Sequence, residues 1–195
     1  MQREYDPLPL RELGAGAGLR RPTQRQALRV SAESPALEVM TDLGRVSPAT
    51  IRPNAPLAGA NRFMITRGVR LLLVVDEDHE TVLGVITATD ILGERPMLAA
   101  TGRGLRRDEL TVADVMTPAA EVQALDLDDV EISRVGHVVE TLRRAGRQHA
   151  LVVDRDSMVR GIFSLSQIGR QLGITLPAAG ETALTFSQIE AALAK

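Results

Sequence analysis

Gly84-Val85-Ile86-Thr87-Ala88-Thr89-Asp90-Ile91 reads as a strand that ends where a helix begins. Seventy-seven positions later the chain repeats it as Gly161-Ile162-Phe163-Ser164-Leu165-Ser166-Gln167. Working outward, Leu73-Val74-Val75-Asp76 returns as Leu151-Val152-Val153-Asp154 after 78 positions, and Val39-Met40-Thr41 returns as Val115-Met116-Thr117 after 76. Near-constant offsets across three separate segments mark an internal duplication.

Each copy reads as strand, helix, strand, strand, helix. Ser47 to Arg52 and Glu121 to Leu127 are strand-like. In the first copy Pro56 opens a helix, Leu57, Ala60 and Met64 share a face, and Gly68 stops it. In the second copy Ser133 is the expected N-cap, Val135, Val138, Val139 and Leu142 form the apolar stripe, and Gly146 is the stop. Leu71 to Val75 and Ala150 to Val153 are continuous apolar runs, the pattern of strands buried on both faces. Val82 to Ile86 and Met158 to Phe163 follow, then helices from about Thr89 and Ser166. The expected fold is α+β: two β-α-β-β-α repeats paired through their sheets about a pseudo-twofold axis.

The expected organisation is an extended arm over 1–35, repeats over 36–98 and 112–176, a linker over 99–111, and a tail over 177–195. Glycine and proline density in the arm disfavours regular structure, and its Gly14–Gly18 GAGAG run lacks the spacing of a phosphate loop. Between the copies, Glu94 to Leu110 reads as a solvated connector in which Arg103, Arg106 and Arg107 form a basic knot. A short helix is expected from Phe186, with Ser187 and Glu190 as its capping box and Ile189, Ala192 and Leu193 as its packing face.

Composition narrows the function. The 195 residues carry 23 Lys plus Arg against 25 Asp plus Glu, a formal charge of −2 that does not favour a dedicated nucleic-acid binder. Aromatic residues are only 2%, too few for base-stacking platforms. Zero cysteines exclude disulfides, thiolate catalysis and cysteine-ligated zinc. The longest strongly apolar run, Leu71 to Val75, is far short of the roughly 20 residues a membrane-spanning helix needs. With no secretory signal at the N-terminus, the expected location is the cytoplasm.

Chemistry-bearing residues are few. His79, His137 and His149 have no metal-ligand spacing, and no nucleophile elbow is present, so no enzyme is expected. Asp126-Leu127-Asp128-Asp129 lacks the glycine and distal glutamate of a cation loop and reads as a solvated turn. Thr87-x-x-Asp90 is more informative, and it has two readings. Backbone N–H groups at a helix start favour an anion, and a carboxylate one turn on suits the cis-diol of a ribose. The same spacing also makes a capping box, and Ser164-x-x-Gln167 fits one still better.

Taken together, Val39-Met40-Thr41, Val115-Met116-Thr117-Pro118, the two Leu-Val-Val-Asp segments and the two exit motifs resemble a tandem pair of cystathionine-β-synthase (CBS) domains, the Bateman module. The resemblance covers about residues 36–176. It implies clefts between the repeats that take an adenosyl ligand such as AMP, ADP, ATP or S-adenosylmethionine, as a regulatory ligand and not a required cofactor. It also implies homodimerisation and a separate regulated protein as partner, reached by allostery. In the first copy, Thr87 would contact phosphate and Asp90 ribose. In the second, Ser164 matches, but Gln167 replaces the carboxylate with a neutral amide. One competent cleft and one weak or empty one are therefore expected. Thr50 and Ile51 are expected against the adenine, and Arg70, with Arg67, near the phosphates. The alternative is a ligand-free dimerisation or scaffold module whose two exit motifs only cap helices.

Overall fold

The computed structural model describes residues 29–174 and 185–193. The Gly14–Gly18 run and most of the expected arm lie outside the described residues, as does the tail segment 177–184.

In chain order the strands are β1 (Thr41–Asp42), β2 (Thr50–Ile51), β3 (Leu71–Val75), β4 (Val82–Thr87), β5 (Thr117–Pro118), β6 (Ala124–Asp126), β7 (His149–Val153) and β8 (Val159–Ser164). The α-helices are α1 (Leu57–Arg67), α2 (Ala88–Leu92), α3 (Arg95–Arg103), α4 (Leu127–Glu131), α5 (Val135–Ala145), α6 (Leu165–Gln171) and α7 (Phe186–Leu193). The mixed α+β class is as the sequence reads.

The strands form two four-stranded sheets, ordered β2-β3-β4-β5 and β1-β8-β7-β6. In each, the first strand of the repeat lies parallel to the second, and the second and third form an antiparallel hairpin. The outer strand of each sheet belongs to the other copy. β1, from the first entry motif, pairs with β8, and β5, from the second, pairs with β4. The exchange extends upstream. Ala36 N–H donates to Ser133 O, and Val135 N–H to Ser34 O. In the same way Leu57 N–H donates to Leu110 O, and Val112 N–H to Ala55 O. The sequence repeat and the packing unit therefore differ. Ala36, Val39 and Met40 are buried in a core with Val135, Val139, Phe163 and Ile168, while Leu110, Val112 and Val115 are buried with Leu57, Met64, Leu72 and Ile86. A third cluster joins the halves across the facing sheets, with Leu71, Leu73, Val75 and Val85 meeting Leu151.

Two glycines make the exchange possible. A Cβ at Gly84 would collide with the Thr117 carbonyl oxygen on the crossing strand, and one at Gly161 would collide with the Met40 side chain. Another chain segment crosses at both positions; at Gly84 the obstacle is backbone, so glycine is required there for the close approach and not for its torsion angles, while at Gly161 the obstacle is a flexible side chain.

Several local expectations are corrected. Arg95–Arg103 is a helix and not an irregular connector: Pro96 sits in its first turn and Gly104 ends it at φ 66°. The basic knot is used internally, since Arg103 pairs with Asp114, Arg106 with Asp108, and Arg107 donates to Ile91 O. The Asp126–Asp129 stretch is not a turn but enters α4, with Asp126 accepting the Asp128 N–H. Ser133 is not the cap of α5. Its hydroxyl donates back to Asp129 O, while His137 Nδ1 accepts the Arg134 N–H at 3.1 Å. The cap of α7 lies two residues earlier than expected: Thr185 N–H donates to Gln188 Oε1 at 2.9 Å, and Gln188 N–H returns to Thr185 Oγ1. Ile189 of that helix is fully buried in the core of the second half.

Candidate functional site

Two clefts lie where the halves meet, one beside each exit motif. The first, the Asp90 cleft, is about 330 Å³, and the second, the Gln167 cleft, about 250 Å³. Both are near the lower end of small-molecule pockets, about 300–1,000 Å³. The exchange of entry strands decides their composition. The Asp90 cleft joins Thr87, Asp90 and Arg95 of the first copy to Thr117, Glu121, Gln123 and Arg147 of the second. The Gln167 cleft joins Ser164, Ser166, Gln167 and Arg170 of the second copy to Thr41, Ser47, Arg67 and Arg70 of the first. Leu71 and His149, which open β3 and β7, line both clefts and form the wall between them.

In the Asp90 cleft, the Thr87 N–H and Oγ1–H donate to Asp90 Oδ2 at 2.8 and 2.7 Å, and Asp90 N–H donates back to Thr87 Oγ1 at 3.2 Å. The capping box is complete. The outer oxygen, Oδ1, accepts from Arg95 at 3.1 Å. The Asp90 side chain is 17% exposed, so the carboxylate sits at the cleft surface with both oxygens engaged. The same arrangement recurs outside the clefts. Thr111 donates its N–H and hydroxyl to Asp114 Oδ2 at 2.8 Å, and Arg103 pairs with the outer oxygen. The Thr111 N–H, as the main cause, holds the Asp114 carboxyl below the usual carboxylate range. Thr-x-x-Asp with an arginine is thus a capping device in this chain, and what distinguishes Asp90 is its place on a hollow.

Ser164 and Gln167 do not form the capping box that their spacing favours. Ser164 makes no side-chain cap to α6. Gln167 Oε1 instead accepts from Thr41 Oγ1 at 3.1 Å, and Gln171, one turn on, donates to Glu38 O at 3.0 Å. Both glutamines staple the exchanged entry segment to α6.

The remaining expected site residues divide between the clefts. Arg70 and Arg67 line the Gln167 cleft, not the hollow of Thr87 and Asp90. Thr50 and Ile51 form β2 beside Leu73 and Val74, and Pro48 and Ala49, one step earlier, line the Gln167 cleft in their place. Sequence reading missed Arg95, Arg147 and Arg170, which become site residues only once the strand exchange is known. His79 and His137 are exposed. His149 is neutral: burial, and then the charge of Arg70, lower its pKa from 6.5 to about 4, against the opposing pull of Asp90. Among the described residues, no cluster of His, Asp and Glu is placed to hold a metal ion, and no helix is long and apolar enough to cross a membrane.

Residues 32–96 match the family model of the CBS domain. No curated protein matches the chain. Among solved structures, an uncharacterized conserved protein from Pyrococcus horikoshii is similar at 23% identity and a TM-score of 0.56, over 77% of this chain and all of that one. CBSX2 of Arabidopsis thaliana, in complex with AMP, is similar at 18% identity and a TM-score of 0.51, over 71% of this chain and 94% of that one. The CBS domain pair of protein MJ0100, in complex with 5′-methylthioadenosine and S-adenosyl-L-methionine, matches at 23% identity and 0.51, over 72% of this chain and 97% of that one. Residues 32–96 are a CBS domain, and the chain as a whole has the fold of a tandem CBS pair.

Proposed function

We propose that this chain is a regulatory module, not a catalyst, that senses an adenosine-containing ligand of the AMP, ADP, ATP or S-adenosylmethionine class in the Asp90 cleft. One observation carries the reading: the cleft is assembled from both halves, so a ligand seated there bridges Thr87 and Asp90 to Thr117, Gln123 and Arg147. A ligand with different affinities for two arrangements of the halves shifts their balance by that difference and no more. A partner chain, or a second copy of this one, reads the shift at the surface. Asp90 Oδ1 already accepts from Arg95, so a ribose hydroxyl arriving there competes with that guanidinium, which once displaced is available to a phosphate. The similar structures that hold AMP or S-adenosylmethionine support this assignment by fold.

The scaffold reading is favoured by the complete capping box at Thr87 and Asp90. Titration calorimetry with AMP and S-adenosylmethionine separates the two. Sensing requires saturable binding by the wild-type chain that Asp90→Ala abolishes while the variant still melts cooperatively. Failure of every adenosyl compound to bind leaves only the scaffold.

A further inference from the structure

A third hollow, about 450 Å³, lies between the tips of the two hairpins and is larger than either cleft. It is continuous with the Asp90 cleft, because Val85, Val122 and Leu151 line both. The strands set its direction. On β7, His149 faces the cleft, Leu151 the junction and Val153 the hollow, two residues apart on one face. On β4 the same order runs from Thr87 through Val85 to Val82, the last lying beyond a register shift against β3. The groove thus follows five residues of β4, about 17 Å at a strand rise of ~3.4 Å, more than a nucleoside monophosphate covers. Its chemistry changes along that length. Asp90, Arg95, Thr117 and Arg147 stand at the helix end. The hollow is walled by Val82, Val153, Val159 and the exposed Met158, and the small residues Gly84, Ala119 and Ala124 leave it open. Among the described residues no arginine, lysine or aspartate lines it. Its carboxylate, Glu80, and its hydroxyls, Thr81 and Ser157, sit on the exposed turns at the rim. An apolar wall of this extent, left in a concave surface, marks a ligand site.

We propose that the hollow receives an apolar substituent carried on the nucleobase, so that the ligand of this groove is an adenosine phosphate alkylated on its exocyclic N6. The inference rests on the proposed function and narrows its ligand. With the sugar at Asp90 and the phosphate at Arg95, the hollow offers no charged group to either. The base therefore points along the strands, toward Val85, Val122 and Leu151. The purine edge farthest from the sugar, which carries N6, then faces the hollow. A bare amino group there meets apolar walls and loses hydrogen bonds to water. An alkyl or benzyl group on N6 keeps one N–H and covers Val82, Val153 and Val159 instead.

The test is calorimetry with AMP, N6-benzyl-AMP and the benzyl phosphoester of AMP, which carries the same group at the opposite end. The proteins are the wild-type chain, Asp90→Ala and Met158→Asp. N6-benzyl-AMP should bind the wild type at least tenfold more tightly than AMP, and the phosphoester no more tightly than AMP. Asp90→Ala should cost N6-benzyl-AMP at least tenfold. Met158→Asp puts a charge at the mouth of the hollow, on a side chain exposed enough to leave folding intact, and should cut the benzyl advantage to threefold or less. N6-benzyl-AMP binding no more tightly than AMP overturns the inference. So does an equal gain from the phosphoester, or a benzyl advantage indifferent to Met158→Asp. In each of these cases Asp90-dependent binding of AMP leaves the proposed function standing. Failure of all three compounds to bind overturns both.

Discussion

Arg95 and Gln167 grip equivalent atoms on the two halves. Arg95 donates to Val115 O at 3.1 Å and to Thr117 Oγ1 at 2.9 Å, while Gln167 bonds Val39 O at 3.5 Å and Thr41 Oγ1 at 3.1 Å. Both fasten the Val-Met-Thr entry segment of the opposite copy. A glutamine can do this alone because its amide both donates and accepts. An aspartate at position 90 cannot donate, so the first half uses Asp90 to orient an arginine that does. The replacement of Asp by Gln in the second exit motif is thus tied to strand exchange as well as to ligand chemistry.

Arg95→Ala frees the outer oxygen of Asp90 and releases Thr117. With Arg95 47% exposed, the ligand-free protein should lose only about 1 kcal/mol in urea unfolding. Adenosine, which has no phosphate to gain from the guanidinium, should bind the variant at least threefold more tightly than wild type by calorimetry. Unchanged or weaker adenosine binding would reject competition between Arg95 and the sugar.

Thr87→Ala and Thr111→Ala remove chemically matched caps, one on the cleft and one away from it. Each should lower stability by about 1 kcal/mol without ligand. Only Thr87→Ala should also weaken AMP, measured in the same calorimeter. Equal AMP affinity in both variants would mean that Thr87 serves the helix alone.

His149 makes stability depend on pH in mildly acidic solution. Its folded pKa of about 4 lies below the ordinary 6.5, so between those values the unfolded chain binds the extra proton. Stability is then flat above about pH 6.5 and falls as pH drops toward 4, by less than about 1.4 kcal/mol per pH unit because the ring is not fully enclosed. Arg70 steepens the fall and Asp90 opposes it. Urea midpoints at pH 7.5, 6 and 5 should decline in the wild type and decline less in His149→Asn, with His79 and His137 common to both. Parallel declines would show that the acid sensitivity lies elsewhere.

The duplication made the elements legible, because each copy repeats the same apolar runs and stops: Leu71–Val75 and the αL glycines Gly68 and Gly146 fall where the pattern places them. What the pattern does not carry is which copy an entry strand joins. The entry strand β1 is only two residues long, with no periodicity of its own, and its pairing with β8 is decided by contacts more than 100 residues away. For that reason the sequence put Arg70 with Asp90, although the structure places them in different clefts. The caps of α5 and α7 were misread for a local reason. Serine is a good cap on average, but Ser133 found the Asp129 carbonyl first, and Thr185 with Gln188 made a complete box two residues before Ser187.

The two crossing glycines should fail by different amounts when a methyl is added. At Gly84 the obstacle is the backbone oxygen of Thr117, which is fixed by the pairing of Val85 with Thr117 and Gly84 with Pro118. Relief requires β5 to leave the sheet, taking Val115 with it from the first core. At Gly161 the obstacle is the unbranched Met40 side chain, which can repack by rotation within its buried site. Overpacking costs of about 1–3 kcal/mol are typical, so Gly161→Ala should fall at the low end and Gly84→Ala at the high end or beyond. Thermal melting of both variants against wild type measures the order directly. A Gly84→Ala protein as stable as Gly161→Ala would mean that the entry strand is not held where the sheet register puts it.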